Sequence, residues 1–346
     1  MQKNNYKVSV LIPVYKVENY IEKCVRTLFN NTIASDCEFI FTNDCTPDSS
    51  MEILSAVIKD FPELQDNIKI INHEKNMGIS VARNEGFDNA SGEYLICTDS
   101  DDYVEPDYLE ALYNEAKNGD YDIVGCDFYM TPDYNDSKNG KLAERYITQP
   151  LCNDYKKCIQ DLFNNQVGAY IWCKLIKTDF LKKNRIQFKE NLFCVEDMLF
   201  CVEFFAKNPV ISYLSKPLYH YVNRKTSCIH SVYRLKKADN LFLMLRCLKE
   251  FLQKNDMDWA YEAYDCLVCR LKYDLLIAGT NIVQKKMLSI HKNVNVCVDK
   301  IKIKPFYKKI IKISNFSSSL AYIILHAFFV IKCLLGRIDY KNYIEK

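Results

Sequence analysis

Three carboxylates stand within four positions in the stretch EYLICTDSDD, which spans residues 93–102. The residues before them are strand formers, so Asp99, Asp101 and Asp102 follow a predicted buried strand. Like charges at this spacing repel one another, and near a core they also lose hydration. A bound cation, a set of hydrogen-bond donors or exposure to solvent would offset that cost.

Polar residues also follow two other strand-like runs. Pro13 and Tyr15 end the first run, and Asn43 and Asp44 follow the run CEFIFT. Strand-like runs alternate with helical patterns, which predicts an α/β fold with a mainly parallel sheet flanked by helices. Ligands of such sheets bind outside the carboxyl ends of the strands, so we expect the three polar ends to share one crevice. Strands are predicted at 7–13, 37–42, 68–72, 93–98 and 121–126, and helices at 17–30, 49–60, 79–90 and 106–117.

Composition restricts the classes of protein to which the chain can belong. Its 346 residues, 49% of them apolar, suffice for one large domain with an appendage or for two domains. A net charge of +2 gives no reason to expect a nucleic-acid partner. The 16 cysteines are scattered, and Cys266 with Cys269 has no second pair to complete a zinc site. These features indicate reduced, buried thiols in a cytoplasmic protein.

The block KVSVLIPVYKVENYIEKCVRTLFNNT, then EFIFTNDCTPDSS, then NMGISVARNEGFDNASGEYLICTDSDDYVEPDYLE resembles the nucleotide-sugar-binding half of family 2 glycosyltransferases with the GT-A fold. WCKL at 172–175 and VEDMLF at 195–200 resemble the acceptor-side motifs of that family. The chain departs from the family pattern twice. Asn43-Asp44-Cys45-Thr46 stands where the family usually has Asp-Asp-Gly-Ser, and Val195 stands where a glycine precedes Glu-Asp.

The resemblance implies an organisation and a reaction. It predicts a GT-A domain over residues 1–225, with a nucleotide-sugar-binding half at 7–127 and an acceptor half at 150–225. The resemblance does not extend to residues 226–346, where the residue pattern by itself predicts a helical C-terminal region. The implied enzyme moves a sugar from a nucleotide-sugar donor, most simply a UDP-sugar, to a hydroxyl of a glycan or lipid-linked oligosaccharide, and it inverts the anomeric centre.

The donor side carries the metal that the resemblance implies. Asp99 and Ser100 meet the nucleotide, and Asp101 is the main ligand of one Mg²⁺ or Mn²⁺, with Asp99 beside it. Hard oxygen ligands suit both ions, which would clamp the diphosphate. Asp102 is predicted to cap the next turn, ahead of Pro106 at a helix start.

The nucleoside is assigned to the ends of the first two strands and to one helix. Asp44 accepts a hydrogen bond from uracil in the family, and Asn43 can also bond a base. Pro13 and Tyr15 shape the pocket of the base. A plain helix cap is the alternative for Asp44. Arg83 reaches a phosphate or fixes the acidic turn, and a salt bridge to Asp99 alone is its alternative.

The acceptor side opens a predicted apolar helix with Glu196 and Asp197. By resemblance Asp197 is the general base, whereas the alternative is an acid favoured by the helix dipole. Trp172 and Lys174 are assigned to the acceptor side, although a buried tryptophan also suits a core. His220 and Arg224 are candidates for the diphosphate, and the alternative for a lone histidine is a structural role.

Two other functions remain open at this stage. A sugar-nucleotide nucleotidyltransferase would carry a glycine-rich loop after the first strand, whereas this chain has Pro13-Val14-Tyr15-Lys16-Val17 there. A non-catalytic sugar-nucleotide-binding or scaffold protein would have lost the carboxylates, and all of them are present.

The two ends of the sequence raise the question of a membrane. The apolar run 8–14 contains a proline and is too short for a signal peptide, so it is predicted to be a strand. Residues 300–312 carry six lysines, and the largely apolar stretch 320–335 is too short for a confident span. This pattern is typical of a protein lying on the anionic inner face of the cell membrane. A helix packed on the catalytic domain or a homo-oligomer interface is the alternative.

Overall fold

The structure is a computed structural model that describes residues 6–134, 144–146, 153–193, 195–224 and 235–335. The chain divides into two compact units. One contains residues 1–159 and 166–227, and the other contains residues 160–165 and 228–346. Residues 160–165, which were predicted within the first domain, thus belong to the second unit.

A mixed sheet forms the centre of the first unit. Its order is β3-β2-β1-β4-β8-β6-β9-β5, and β7 pairs with β6 outside this path. The strands β3, β2, β1 and β4 are parallel, and β8 runs antiparallel to both of its neighbours. The strands are β1 (Val8–Val14), β2 (Cys37–Asn43), β3 (Ile68–Asn72), β4 (Tyr94–Cys97), β5 (Tyr103–Val104), β6 (Ile123–Pro132), β7 (Glu144–Tyr146), β8 (Lys174–Lys177) and β9 (Ile211–Asn223).

Helices connect these strands. The helices of the first half follow the strands in alternation, as an α/β unit requires. The last residues of α5 belong to the second unit. The helices are α1 (Ile21–Phe29), α2 (Ser50–Lys59), α3 (Ile79–Asn89), α4 (Tyr108–Asn118), α5 (Tyr155–Phe163), α6 (Thr178–Asn184) and α7 (Glu196–Phe205).

The predicted α/β fold is confirmed, with two corrections of detail. All five predicted strands and all four predicted helices of the first half are present. The sheet is mixed rather than mainly parallel, because β8 enters antiparallel between β4 and β6. Residues 131–150 are polar and rich in turn formers, which predicts a surface loop. They contain the end of β6 and the short strand β7 instead, and residues 135–143 and 147–150 lie outside the described residues.

The central strands are buried because helices cover the sheet. Every residue of β1 is buried, which explains its nearly continuous apolar sequence. The buried Glu38 carboxylate accepts hydrogen bonds from the Ser9 hydroxyl (2.6 Å) and the Ser91 N–H (2.6 Å). Gly92 packs so closely on β1 that a Cβ there would lie 2.6 Å from the Ser9 nitrogen, so only glycine fits. This packing fixes where β4, and the acidic turn that follows it, must lie.

The second unit is helical, as the sequence predicts. Its buried Lys272 ammonium donates hydrogen bonds to the Ile290 carbonyl (3.1 Å) and to Asn295 Oδ1 (2.8 Å). Among the described residues, no helix has both the length and the apolar character to cross a membrane. The helices are α8 (Leu235–Lys254), α9 (Tyr261–Ala278), α10 (Asn281–Ser289), α11 (Pro305–Phe316) and α12 (Ser318–Leu334).

Candidate active site

The turn after β4 gathers the three carboxylates that the sequence singles out. One oxygen each from Asp99, Asp101 and Asp102 lies within 4.8 Å of the others. In the part of the chain that the structure describes, no other group of three or more His, Cys, Asp or Glu side chains is arranged to hold a metal. Burial raises the pKa of Asp101 to about 6 and also raises that of Asp102. A cation here would offset the cost of ionising these acids.

Asp102 has a structural role that differs from the predicted cap. Its buried carboxylate accepts hydrogen bonds from the Tyr219 hydroxyl (2.7 Å) and from the Val222 N–H (2.8 Å). The Tyr219 hydroxyl also accepts from the Asp99 N–H at 3.2 Å. Asp102 therefore ties the acidic turn to β9, and the prediction that it caps the following turn is wrong. Both of its oxygens have donors, which leaves the partly exposed Asp99 and Asp101 as the pair that fits a divalent cation.

Arg83 joins the donor-side turn to the acceptor-side helix. Its Nη2 donates to Asp99 Oδ1 at 3.0 Å. Its Nη1 donates to Glu196 Oε1 at 3.0 Å and to Asp197 Oδ1 at 2.8 Å. The guanidinium side chain is only 4% exposed, so these three ion pairs are shielded from water. The alternative of a salt bridge to Asp99 alone is wrong.

The first turn of α7 carries two acids in unlike environments. Burial, followed by the charge of Asp197, raises the pKa of Glu196 to about 7. Glu196 Oε2 is buried and finds no hydrogen-bond partner among the described residues. Burial also raises the pKa of Asp197, and the Arg83 charge opposes this rise. The Asp197 side chain remains 20% exposed, so it can meet a substrate.

Asp44 holds the loop that leads into α3. Its Oδ1 accepts from the Met77 N–H (2.6 Å) and contacts His73 Nδ1 (2.7 Å), and its Oδ2 accepts from the Gly78 N–H (2.9 Å). Burial lowers the pKa of His73, but its bonds to Asp44 and Glu85 raise it more, so the net shift is upward.

The first residue of α2 bonds another acid, whereas Ser49 at the N-cap position makes no capping bond with its side chain. Asp48 accepts from the Ser50 N–H and from the Ser50 hydroxyl, so Asp44 does not cap the helix that follows it. The assignment of Asp44 to a uracil base stays a prediction.

The remaining donor-side residues lie at the ends of β1 and β2. The buried Ser100 hydroxyl donates to the Pro13 carbonyl at 2.7 Å, which fixes the acidic turn against β1. Tyr15 is exposed beyond that strand, and the Lys16 ammonium lies 5.1 Å from the centre of its ring. Asn43 Oδ1 accepts from the Thr46 N–H at 2.9 Å and shapes the turn after β2. Their roles toward a nucleotide stay predictions.

Trp172 and Lys174, which the sequence assigns to the acceptor side, are well buried. Trp172 is 6% exposed and stacks between the rings of Tyr170 (4.4 Å) and Tyr219 (4.6 Å). The Lys174 ammonium donates to the Gly168 carbonyl (3.1 Å) and to the Tyr170 carbonyl. Both residues support the loop that precedes β8, and a direct contact with an acceptor stays a prediction.

His220 and Arg224 are engaged with other side chains. His220 Nε2 lies 2.7 Å from Glu105 Oε1, and its ring stacks on Tyr103 at 4.2 Å. Burial lowers the pKa of His220, and the Glu105 contact opposes that effect. The Arg224 guanidinium pairs with Asp101 and lies over the Tyr20 ring. Of the two, only Arg224 therefore contacts the acidic turn directly.

Sequence reasoning missed the residues that connect these groups. Tyr219 was not singled out, although it bonds two members of the acidic turn. His73 was also missed, although it bridges Asp44 and Glu85. The one local signal for His73 is its position directly after β3, at the same edge of the sheet as the other polar strand ends.

Comparisons with known proteins found matches over most of the chain. A family model described as "Glycosyl transferase family 2" matches residues 9–184. EpsH of Bacillus subtilis (strain 168), which is named as a glycosyltransferase, is 31% identical over 254 residues, covering 72% of this chain and 70% of that protein.

Two solved structures share the fold. S. aureus TarS 1-349 in complex with UDP-GlcNAc has a TM-score of 0.64 at 18% identity and covers 96% of this chain and 93% of that chain. A mannosyltransferase from Pyrobaculum calidifontis, in complex with GDP-Man and Mn²⁺, has a TM-score of 0.50 at 13% identity and covers 96% of this chain and 88% of that chain. These likenesses confirm the GT-A-like fold of the first unit and the presence of a helical C-terminal region.

Proposed function

The chain belongs to glycosyl transferase family 2, and on this basis we propose that it moves a sugar from a UDP-linked donor to a hydroxyl of a glycan or lipid-linked oligosaccharide. The observation that carries the proposal is the Arg83 cluster, which holds Asp99 of the donor-side turn and Asp197 of the acceptor-side helix on one guanidinium. A transfer reaction needs a leaving diphosphate and an attacking hydroxyl side by side, and this cluster positions groups for both.

The donor side would hold a divalent cation. Asp99 and Asp101 would bind Mg²⁺ or Mn²⁺, and the bound ion would supply positive charge to the leaving diphosphate. Asp102 and Tyr219 keep the turn in place for this task, because they anchor it to β9. Arg224, which pairs with Asp101, adds a second positive charge at the same edge.

The acceptor side would take a proton. As the acceptor oxygen forms its bond to the anomeric carbon, the bond from that carbon to the diphosphate breaks and the hydroxyl proton passes to the Asp197 carboxylate. Arg83 holds Asp197 Oδ1 and so orients the carboxylate. A single displacement of this kind inverts the anomeric configuration. The carboxylates also argue against a scaffold without catalysis, because a scaffold has no need to keep them clustered.

The first test is metal-dependent donor binding. We expect UDP to bind more tightly with Mn²⁺ than with EDTA, and we expect Asp101→Asn to lose this difference while the protein stays folded. The physical reason is that the variant removes one carboxylate charge from the cation site. Isothermal titration calorimetry with UDP and with GDP measures both the metal effect and the choice of base.

Asp120→Asn is the matched control, because Asp120 is an exposed aspartate whose described partner is Lys177, on β8. An Asp101→Asn protein with an undiminished Mn²⁺ effect would contradict the metal role. Absence of any nucleotide binding by the unchanged protein would instead argue against the donor assignment as a whole. We also propose that the enzyme works in the cytoplasm at the inner face of the membrane, where a lipid-linked acceptor would be found.

A further inference from the structure

The last helix of the described chain is apolar on its outer side as well as on its inner side. Ala321, Leu325 and Phe329 are buried on the inner side of α12. A helix that packs on a protein and faces water on its other side normally carries polar residues there. Large apolar side chains that are half to nine-tenths exposed occur there instead: Leu320, Ile323, Ile331 and Leu334 on α12, together with Phe316 at the end of α11 and Leu335 directly after α12. We call this set the apolar stripe.

An open groove rich in lysine precedes α11. It has a volume of about 570 Å³ and is lined by Tyr273, Asp299, Lys300, Ile301, Lys302, Ile303, Lys304 and Lys308. Lys300 pairs with Glu262 at 2.7 Å, and Lys308 lies 3.8 Å from Asp299. Lys302 and Lys304 pair with no carboxylate within the described residues. The groove therefore keeps an excess of positive charge.

The groove and one end of the apolar stripe are neighbours. The Phe306 ring packs on the Phe328 ring at 4.4 Å, so the start of α11 lies beside the last turns of α12. Lys304 immediately precedes α11, and Ile331 and Leu334 occupy those last turns of α12. Positive charge and exposed apolar side chains thus occur together at this end of the helix pair.

We propose that the apolar stripe and the Lys302–Lys304 groove form one docking surface for an anionic lipid bilayer. Apolar side chains on a surface helix lower their free energy by entering the boundary between headgroups and acyl chains, and lysines beside them are attracted to anionic headgroups. A second copy of this chain suits the surface less well. Its own six lysines at 300–312 would meet those of the first copy if the two faces paired symmetrically.

Vesicle binding tests the proposal with the full-length protein. We expect cosedimentation with vesicles of equal parts phosphatidylglycerol and phosphatidylcholine, little with phosphatidylcholine alone, and release by high salt. Lys302→Gln with Lys304→Gln should weaken binding roughly ten- to thirty-fold. Ile323→Ser with Leu334→Ser should weaken it at least as much.

Each variant has a matched control. Val296→Ser removes another exposed apolar side chain of the second unit, and Lys59→Gln with Lys183→Gln removes two exposed lysines of the first unit. The controls should bind vesicles as the unchanged protein does, and all variants should bind UDP alike. This last readout separates the docking surface from the proposed transfer function, on which it does not depend.

Three results would overturn the proposal. The first is equal sedimentation with and without phosphatidylglycerol. The second concerns oligomeric state: light scattering shows a dimer for the unchanged protein and a monomer for the Ile323→Ser, Leu334→Ser protein, while vesicle binding is the same for both. A second copy would then cover the stripe. The third is a monomeric Ile323→Ser, Leu334→Ser protein that unfolds at a lower temperature but binds vesicles as before. The two apolar side chains would then pack against residues of the same chain rather than against a bilayer.

Discussion

Arg83 is the only cation that the described residues place in direct contact with the Asp99, Glu196 and Asp197 carboxylates. One positive charge cannot balance three negative charges in a site from which water is largely excluded. The excess is relieved when one acid keeps its proton, and Glu196 is the most suitable. It is the most buried of the three acids, and one of its oxygens has no described donor. Asp197 can then stay ionised, as the proposed role of general base requires.

The protonation of Glu196 predicts an unusual dependence of stability on pH. Its pKa is raised from 4.5 to about 7 by burial and by the Asp197 charge. Because the folded chain binds this proton more tightly than the unfolded chain, the residue lowers the free energy of unfolding as pH rises from 4.5 to about 7. Glu196→Gln cannot titrate and should not show this loss. We therefore expect its free energy of unfolding, relative to that of the unchanged protein, to be on the order of 2–3 kcal/mol higher at pH ~8 than at pH ~4. Urea unfolding at the two pH values measures the difference.

Glu52→Gln is the control for that experiment, because Glu52 also lies in the first turn of a helix, α2, but is exposed. Its effect on the free energy of unfolding should be the same at both pH values. If Glu196→Gln behaves like this control, Glu196 is ionised across the whole range and Arg83 tolerates all three charges.

The turn between β2 and α2 contains a residue in an unfavourable conformation. Cys45 has a φ of 53°, in the left-handed region that favours glycine, and it stands where the family usually has glycine. A residue with a Cβ is strained there. We expect Cys45→Gly to raise the free energy of unfolding by about 0.5–1 kcal/mol, the gain being limited by the greater flexibility of glycine in the unfolded chain.

Denaturant unfolding of Cys45→Gly beside Cys45→Ala tests this expectation. Alanine keeps the Cβ and the strain but removes the thiol, which lies 3.6 Å from the Glu74 carbonyl. The alanine variant should therefore show no gain. A glycine variant that is less stable than the unchanged protein would mean that the thiol contact outweighs the strain.

Secondary-structure elements differ in how far local sequence could predict them. The strands β1, β2 and β4 were predicted because burial on both faces makes them largely apolar runs. The strands β8 and β9 were not assigned. β8 has only four residues, and burial along β9 changes irregularly rather than at every second residue, so neither has a distinct local pattern. Their positions depend on partners such as β4 and β6 that are distant in the sequence.

The candidate site shows the same limit. Asp99, Asp101 and Asp197 could be found from short motifs, because each motif is local. The contacts that organise them join residues far apart, such as Arg83 with Asp197 and Tyr219 with Asp102. A single sequence contains no local signal for such pairs, which is why Asp102 was assigned to a cap. The residues were therefore predicted better than their partners.

At the scale of the whole molecule, the groups proposed for the donor and for the acceptor come from separate stretches of the first unit. The donor side is built by the ends of β1, β2 and β4, before residue 103, whereas Asp197 enters with α7 nearly a hundred residues later. Arg83 is the described contact that joins the two sides. This separation means that nucleotide binding and proton transfer can be lost independently.

Asp197→Asn should therefore keep the binding of UDP and metal but lose transfer. A sugar hydroxyl is too weakly acidic to ionise near neutral pH, so its proton must leave as the new bond to the anomeric carbon forms. A carboxylate within hydrogen-bond reach accepts that proton, and this general base catalysis accounts for roughly 10²–10⁴-fold in rate. Asparagine keeps the shape and a bond from Arg83 but cannot take the proton. Calorimetry with UDP and Mn²⁺, beside turnover with an accepted donor and acceptor, measures both properties.

The matched control is Asp179→Asn, because Asp179 is an exposed acid in the first turn of α6, and this variant should keep full turnover. Full turnover by Asp197→Asn as well would show that Asp197 only favours the start of its helix, and Glu196 would become the carboxylate to test as the base.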